Sequence, residues 1–326
     1  MMAFGIGRKF HISKSVLLKK KHSSHSLSPQ HIEYEDGTPY DMDGVRGSEI
    51  ALRVVNPTSK ALTAVPEAIS NLWSHRNLIR NFASRDISQR YRNSIIGYFW
   101  TVLEPLLLSA VYYFLFTIIS GNPEERYPLW IILGVVTWQY FSRGLNESVN
   151  CLTGNKNMIR QIYFPREIFA VSKVLAQLVV TTMSLLVAIP FLVALDIQMT
   201  TQVIYIPIAL MIVTLQVLGV GWLLAVPNVH HGDIAHFTRF ITRAGFFVSP
   251  VMWTISMAKG GRAALLDYIF LNPMVVPLEM MRAGFDGSDL LIPQWAILWC
   301  IGFSLGIVFL GLTVFKKAEA KVVKRL

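Results

Sequence analysis

A chain of 326 residues with 53% apolar and only 15% charged residues, and a mean hydropathy of +0.45, is too apolar for a soluble domain of its size. The formal charge of +10 does not point to nucleic acid, because the basic residues flank apolar runs instead of gathering on one polar face. Topology signals and anionic lipid headgroups account for that charge.

Residues 1–69 read as a polar cytoplasmic extension, basic from Arg8 to His25 and acidic from Glu33 to Gly47. It holds too little apolar content to bury a core, so disorder is expected. Val16-Leu17-Leu18 falls far short of a signal-peptide apolar region. Residues 70–94 interleave Trp73, Phe82 and Ile87 with Arg76, Arg80, Arg85, Arg90 and Arg92, which predicts amphipathic helix in the membrane interface with a break near Ser84. Residues 95–315 carry six apolar stretches: Ile95–Ser120, Pro128–Leu145, Ile168–Leu195, Val203–Val226, Phe237–Met257 and Trp295–Phe315. Pro190 is expected to kink the third and Pro250 to interrupt the fifth. Between the last two lie Ala263–Leu271 and Met274–Met281, divided by Asn272-Pro273. Each is too short to cross about 30 Å of hydrocarbon at about 1.5 Å per residue, so re-entrant or surface-lying helices are expected. Residues 316–326 form a basic tail.

Of the 30 Lys and Arg residues, all but Arg126, Lys259, Arg262 and Arg282 fall on one side if the N-terminus is cytoplasmic. Basic loops stay inside during insertion. The reading is an all-α membrane protein with six transmembrane helices, both termini cytoplasmic, an interfacial helix before the first span and short re-entrant helices in the last outer loop.

Few residues offer chemistry. No G-x-x-x-x-G-K-[ST] loop occurs, so ATP hydrolysis by that route belongs to another subunit. Glu104 is the one carboxylate well inside a span, and next to Pro105 it reads chiefly as half of an ion pair or as part of a kink. His230, His231, Asp233 and His236 resemble metal ligands only superficially; a solvated interfacial loop is the ordinary reading, and no metal is expected. Cys151 and Cys300 lie too far apart in kind and position to form a disulfide framework. Mid-span aromatics, among them Trp100, Tyr112, Tyr113, Phe246 and Phe247, offer flat surfaces to sugar rings, with helix packing or lipid contact as the competing reading.

Several pieces in order carry a family resemblance: Ser84-Arg85-Asp86 through Arg90-Tyr91-Arg92-Asn93-Ser94, then Gly97, Trp100 and Glu104-Pro105. Tyr163-Phe164-Pro165-Arg166-Glu167-Ile168-Phe169, Ser249-Pro250-Val251 and Asn272-Pro273 follow. From Leu78 to about Leu312 the chain resembles the polysaccharide-export permeases of type-2 ABC transporters, which serve O-antigen, capsule, teichoic acid and related glycans. One departure stands out: Gly232-Asp233 replaces the Arg-Asp pair often found before the fifth span, with Arg239 or Arg243 placed to compensate.

The resemblance implies a homodimeric channel in the bacterial cytoplasmic membrane, with two nucleotide-binding ATPase subunits that hold ATP and Mg. No cofactor is expected in this chain. The cargo would be a polyprenyl-linked glycan, contacted by Arg85, Arg90, Arg92, Trp100, Tyr112, Tyr113, Phe246 and Phe247. The coupling element to the ATPase would comprise Asn157, Arg160, Tyr163, Phe164, Pro165, Arg166 and Glu167. An exporter of drugs or small lipids keeps the same fold, whereas a polytopic transferase requires a cluster of acidic, His or Ser groups that this chain lacks.

Overall fold

The computed structural model describes residues 61–120, 124–161, 165–198, 200–259 and 263–322. Residues 1–60, which hold most of the expected polar extension, and the last residues of the basic tail lie outside them. Among the described residues every regular element is a helix.

α1 (Ala61–Ser74) and α2 (Arg76–Tyr91) are separated only at His75, and α1 begins inside the stretch assigned to the polar extension. The expected break near Ser84 does not occur. Neither Gly nor Pro stands there, and Ala83 is buried, so α2 stays straight through it. The break falls at His75, whose φ of −103° and ψ of 20° leave the helical basin. Asn93 (φ 65°) and Gly97 (φ 57°) then turn the chain in left-handed geometry, and a 3₁₀ turn at Gly97–Phe99 leads into α3 (Trp100–Ser120).

α4 (Tyr127–Val149) starts with Pro128, where a missing N–H costs nothing. Short α5 (Cys151–Gly154) and α6 (Lys156–Gln161) follow, then α7 (Glu167–Ser184). Pro190 cannot donate to the carbonyl one turn back. The chain tightens to 3₁₀ over Leu185–Ala188 before resuming as α8 (Ile189–Ala194), so the kink falls where the sequence placed it. α9 (Tyr205–His230) and α10 (Asp233–Val248) form the next pair, and α10 stops before Ser249-Pro250. α11 (Ile255–Lys259), α12 (Ala263–Phe270), α13 (Val275–Asp286) and α14 (Gln294–Val322) complete the chain.

Among the described residues, four helical stretches are long and apolar enough to cross a membrane: Gly97–Ile118, Glu167–Ala194, Thr201–His230 and Gln294–Ala318. The other two expected spans correspond to α4 and α10. α4 has the length but carries Arg143 and Glu147 in its last turns, and α10 spans only about 24 Å at about 1.5 Å per residue. α4 is nonetheless the central stave, packed by α3, α7, α9, α10 and α13 and buried almost continuously from Leu129 to Trp138. α9 and α14 form the closest crossing: a Cβ on Gly219 would sit 2.7 Å from the Ile307 backbone, and one on Gly311 would collide with the Gly219 carbonyl. Small residues permit this backbone approach where lipid, not water, surrounds the helices. Leu107, Val111, Phe114 and Ile118 on α3 and Leu298, Leu305 and Phe309 on α14 stay exposed, an apolar surface suited to hydrocarbon.

Candidate functional site

At the Arg-rich end of the bundle, α2 is fastened to α7 and α4. Phe82 stacks on Phe169 at 5.7 Å, and Lys173 meets Asp86 at 2.7 Å. Arg90 joins Glu147 and donates to Gln177 at 2.8 Å. Arg85 lies over Phe82, 5.1 Å from the ring centre, and pairs loosely with Asp86 at 3.6 Å. Arg85 and Arg92, with Tyr91 and Tyr98, line an open depression of about 500 Å³. Burial raises the Tyr91 phenol above its usual value against the lowering influence of Arg90, so it remains a neutral hydroxyl. Of the three arginines expected to contact the cargo, Arg85 and Arg92 share this depression. Arg90 does not: its guanidinium is spent within the protein.

Tyr112, Phe246 and Phe247 come together. Phe246 is 5.1 Å from Tyr112 and 5.3 Å from Phe247, with Trp138 at 6.3 Å, so the cluster joins α3, α4 and α10. Tyr113 is apart from it, 6.1 Å from Tyr127, and Trp100 lies half-exposed at the start of α3. Glu104 pairs with Arg143, so the ion-pair reading of this carboxylate holds.

The loop before α7 divides by burial. Asn157 and Arg160 on α6 are exposed and Pro165 is half-buried, whereas Tyr163 and Phe164 lie outside the described residues. Arg166 is buried, and Glu167 is fully buried, meeting Lys316 of α14 at 2.6 Å and accepting from Asn71 of α1 at 3.1 Å. These last two residues hold the loop in place and present no surface.

Three features escaped the sequence reading. Arg143, Asn146 and Glu147 of α4 face Arg239, Thr242 and Arg243 of α10 across a second open depression of about 340 Å³. The signal was the i, i+4 spacing of Arg239 and Arg243. Arg239 reaches His236 at 2.8 Å and not Asp233, so the compensating pair envisaged for Asp233 is not made. Gln216, a lone amide in the apolar run of α9, donates to the Pro273 carbonyl at 3.0 Å, and Cys300 donates there at 3.2 Å. Trp299 donates to the Leu271 carbonyl at 3.0 Å, and Asn272 to Ser249 at 2.8 Å. The Asn272-Pro273 turn thus reaches about 16 Å along α9 from its start, with the Leu271 and Pro273 carbonyls satisfied by side chains and the Asn272 carbonyl by the Val275 N–H. Lastly, buried Arg282 donates to the carbonyls of Val251 (2.9 Å), Trp253 (3.2 Å) and Trp130 (3.3 Å) and pairs with Glu279 at 2.7 Å.

Residues 77–285 match the profile of the ABC-2 type transporter family, which takes in α2, the central stave and both depressions. The chain belongs to that family. Within it, the chain is 26% identical over 217 residues to the O-antigen export system permease protein RfbA of Myxococcus xanthus, covering 67% of this chain and 83% of that one. It is 25% identical over 250 residues to the protein of the same name from Klebsiella pneumoniae, covering 76% and 95%. The capsule polysaccharide export inner-membrane protein CtrC of Neisseria meningitidis is 22% identical over 253 residues, covering 76% and 92%. The resemblance read from the ordered motifs is therefore borne out at the level of the family. In this ABC-2 chain the ordered motifs fall on α2 and the turn after it, the first turns of α3, the stretch leading into α7, and the two Pro-containing turns that flank α11 and α12.

Proposed function

We propose that the chain is the multi-pass inner-membrane permease subunit of an ABC exporter that moves a polyprenyl-linked polysaccharide across the cytoplasmic membrane. The observation that carries this is the co-linear likeness to the Klebsiella O-antigen export permease over 95% of that protein's length. A sugar polymer cannot enter hydrocarbon bare, because each hydroxyl stripped of water costs about 1–3 kcal/mol or more. A channel between helices removes that cost. The energy comes from a separate nucleotide-binding subunit, since this sequence carries no phosphate-binding loop of its own.

In this reading α4 and α10 are the second and fifth of six spans, the Arg-rich end faces the cytoplasm, and two copies enclose the channel. Exposed Asn157 and Arg160 on α6 dock the ATPase, while Arg166 and Glu167 tie that loop to the bundle. The Asn272-Pro273 turn, dipping beside Gln216, is the tip of a re-entrant pair closing the channel mouth. The Arg85–Arg92 depression receives the charged end of the lipid carrier, Arg90 holds α2 in position, and the Tyr112–Phe246–Phe247 cluster lines the path of the sugar. Depleting the protein should accumulate a lipid-linked glycan in the cytoplasmic leaflet, detected by mass spectrometry of extracted lipids. An unchanged lipid-linked pool with normal surface glycan defeats the reading.

A further inference from the structure

The start of α7 enters the bundle on a buried charge. Glu167, its first residue, is wholly enclosed, and one of its carboxylate oxygens meets both Lys316 of α14 at 2.6 Å and Asn71 of α1 at 3.1 Å. The other oxygen accepts no hydrogen bond among the described residues. The two partners and the positive end of α7 therefore carry this charge. The same four helices share one apolar core, in which Ile159 of α6, Phe169 of α7, Ala68 of α1 and Phe315 of α14 are all buried. Asn71 also braces the junction that follows, since its carbonyl accepts the His75 N–H at 3.0 Å. Beyond His75 runs α2, which brings Arg85 and Arg92 to their depression.

We propose that Glu167 is a positioning residue that passes displacement of α6 to α1 and α14, so that the inner ends of these helices answer the ATPase as one body. A buried ion pair adds little stability over apolar side chains of the same volume, because both ions lose their water. What it adds here is register. Apolar faces can slide past one another, whereas two polar contacts on one oxygen are satisfied in a single arrangement. Coupling between distant sites needs a contiguous run of packed and hydrogen-bonded groups. Ile159, Phe169, Glu167, Asn71 and His75 supply one from the docking helix to α2. Energy input and cargo contact are joined inside one chain. That the push arrives at α6 rests on the export reading, and the tie itself rests on Glu167, Lys316 and Asn71.

The test uses the full chain in complex with its ATPase subunit, in nanodiscs. Ser74→Cys, exposed at the end of α1, carries an environment-sensitive fluorophore, and ATP with Mg²⁺ is added. Native Cys151 and Cys300 are buried and leave that label alone. Nucleotide should shift the emission, because movement of α6 reaches α1. The double variant Glu167→Leu, Lys316→Met fills the volume without the charges. It should melt as the parent does, yet its shift should fall at least fivefold. Lys316→Arg keeps the ion pair and should retain the shift. Should the double variant unfold or shed the ATPase, Asn71→Leu decides instead: it leaves the ion pair and cuts only the branch to α1, and should lower the shift at least threefold. A full shift in the deciding variant overturns the inference, as does a parent complex that hydrolyses ATP with no shift at all. A nucleotide response that depends on Glu167, while depletion leaves the lipid-linked glycan pool unchanged, overturns the export reading and leaves the tie standing.

Discussion

Arg282 is one of the four basic residues that break the charge alternation of the sequence, and its surroundings account for it. It is 3% exposed, and its guanidinium joins α13 to the start of α4 and to the segment after Ser249-Pro250. Gly134 leaves room for it: a Cβ there would lie 2.9 Å from the guanidinium. Arg282→Met keeps the length but strands three carbonyls and Glu279, and should cost about 3 kcal/mol or more, read as a lower melting temperature in detergent. Cys151 supplies a second test at this scale. Burial pushes its thiol up to about 12 from an ordinary 9.0. The folded state therefore keeps the proton where the unfolded state loses it, so this stabilising contribution is complete below pH 9.0 and drains away above it. At pH 8 the folded protein should resist maleimide at Cys151, with fast labelling only after denaturation. Ready modification of the native protein at this position contradicts the buried placement.

At the scale of elements, α6 and α2 show how one stretch divides into contact and support. α6 exposes Asn157 and Arg160, while Glu167 at the start of α7 turns inward to Lys316 and Asn71. Arg160→Glu should cut co-purification of the ATPase subunit at least tenfold with membrane insertion unchanged, because it reverses an exposed charge that has no ion-pair partner among the described residues. Undiminished co-purification removes α6 as the docking element. α2 divides likewise: Phe82, Asp86 and Arg90 pin it to α7 and α4, and Arg85 and Arg92 are left at the depression. Five arginines in α2 and its flanks looked equivalent as a string. Their partners made them different.

For the whole molecule, the six-span arrangement has a direct test. Asp289, exposed between α13 and α14, replaced by Cys should react with a membrane-impermeant maleimide in intact spheroplasts, whereas Lys156→Cys on α6 should react only after lysis. Native Cys151 and Cys300 are buried, so they add little background. The opposite labelling pattern inverts the topology and removes the export mechanism with it.

The apolar helices, the kink at Pro190, the interruption at Pro250 and the ordered family motifs were legible along the chain, because apolar run length and proline chemistry are local properties, whereas the start of α1 and the continuity of α2 through Ser84 were not. So was the pairing role of Glu104, though not its partner, since Arg143 lies on another helix. The burial of α4, the depression shared by Arg239 and Arg243, and the seating of the Asn272-Pro273 turn on Gln216 were decided only in three dimensions. Each depends on which faces of distant helices meet, and hydropathy in a bilayer does not encode that: lipid and protein interior are equally apolar, so periodicity cannot tell a lipid-facing side from a packed one.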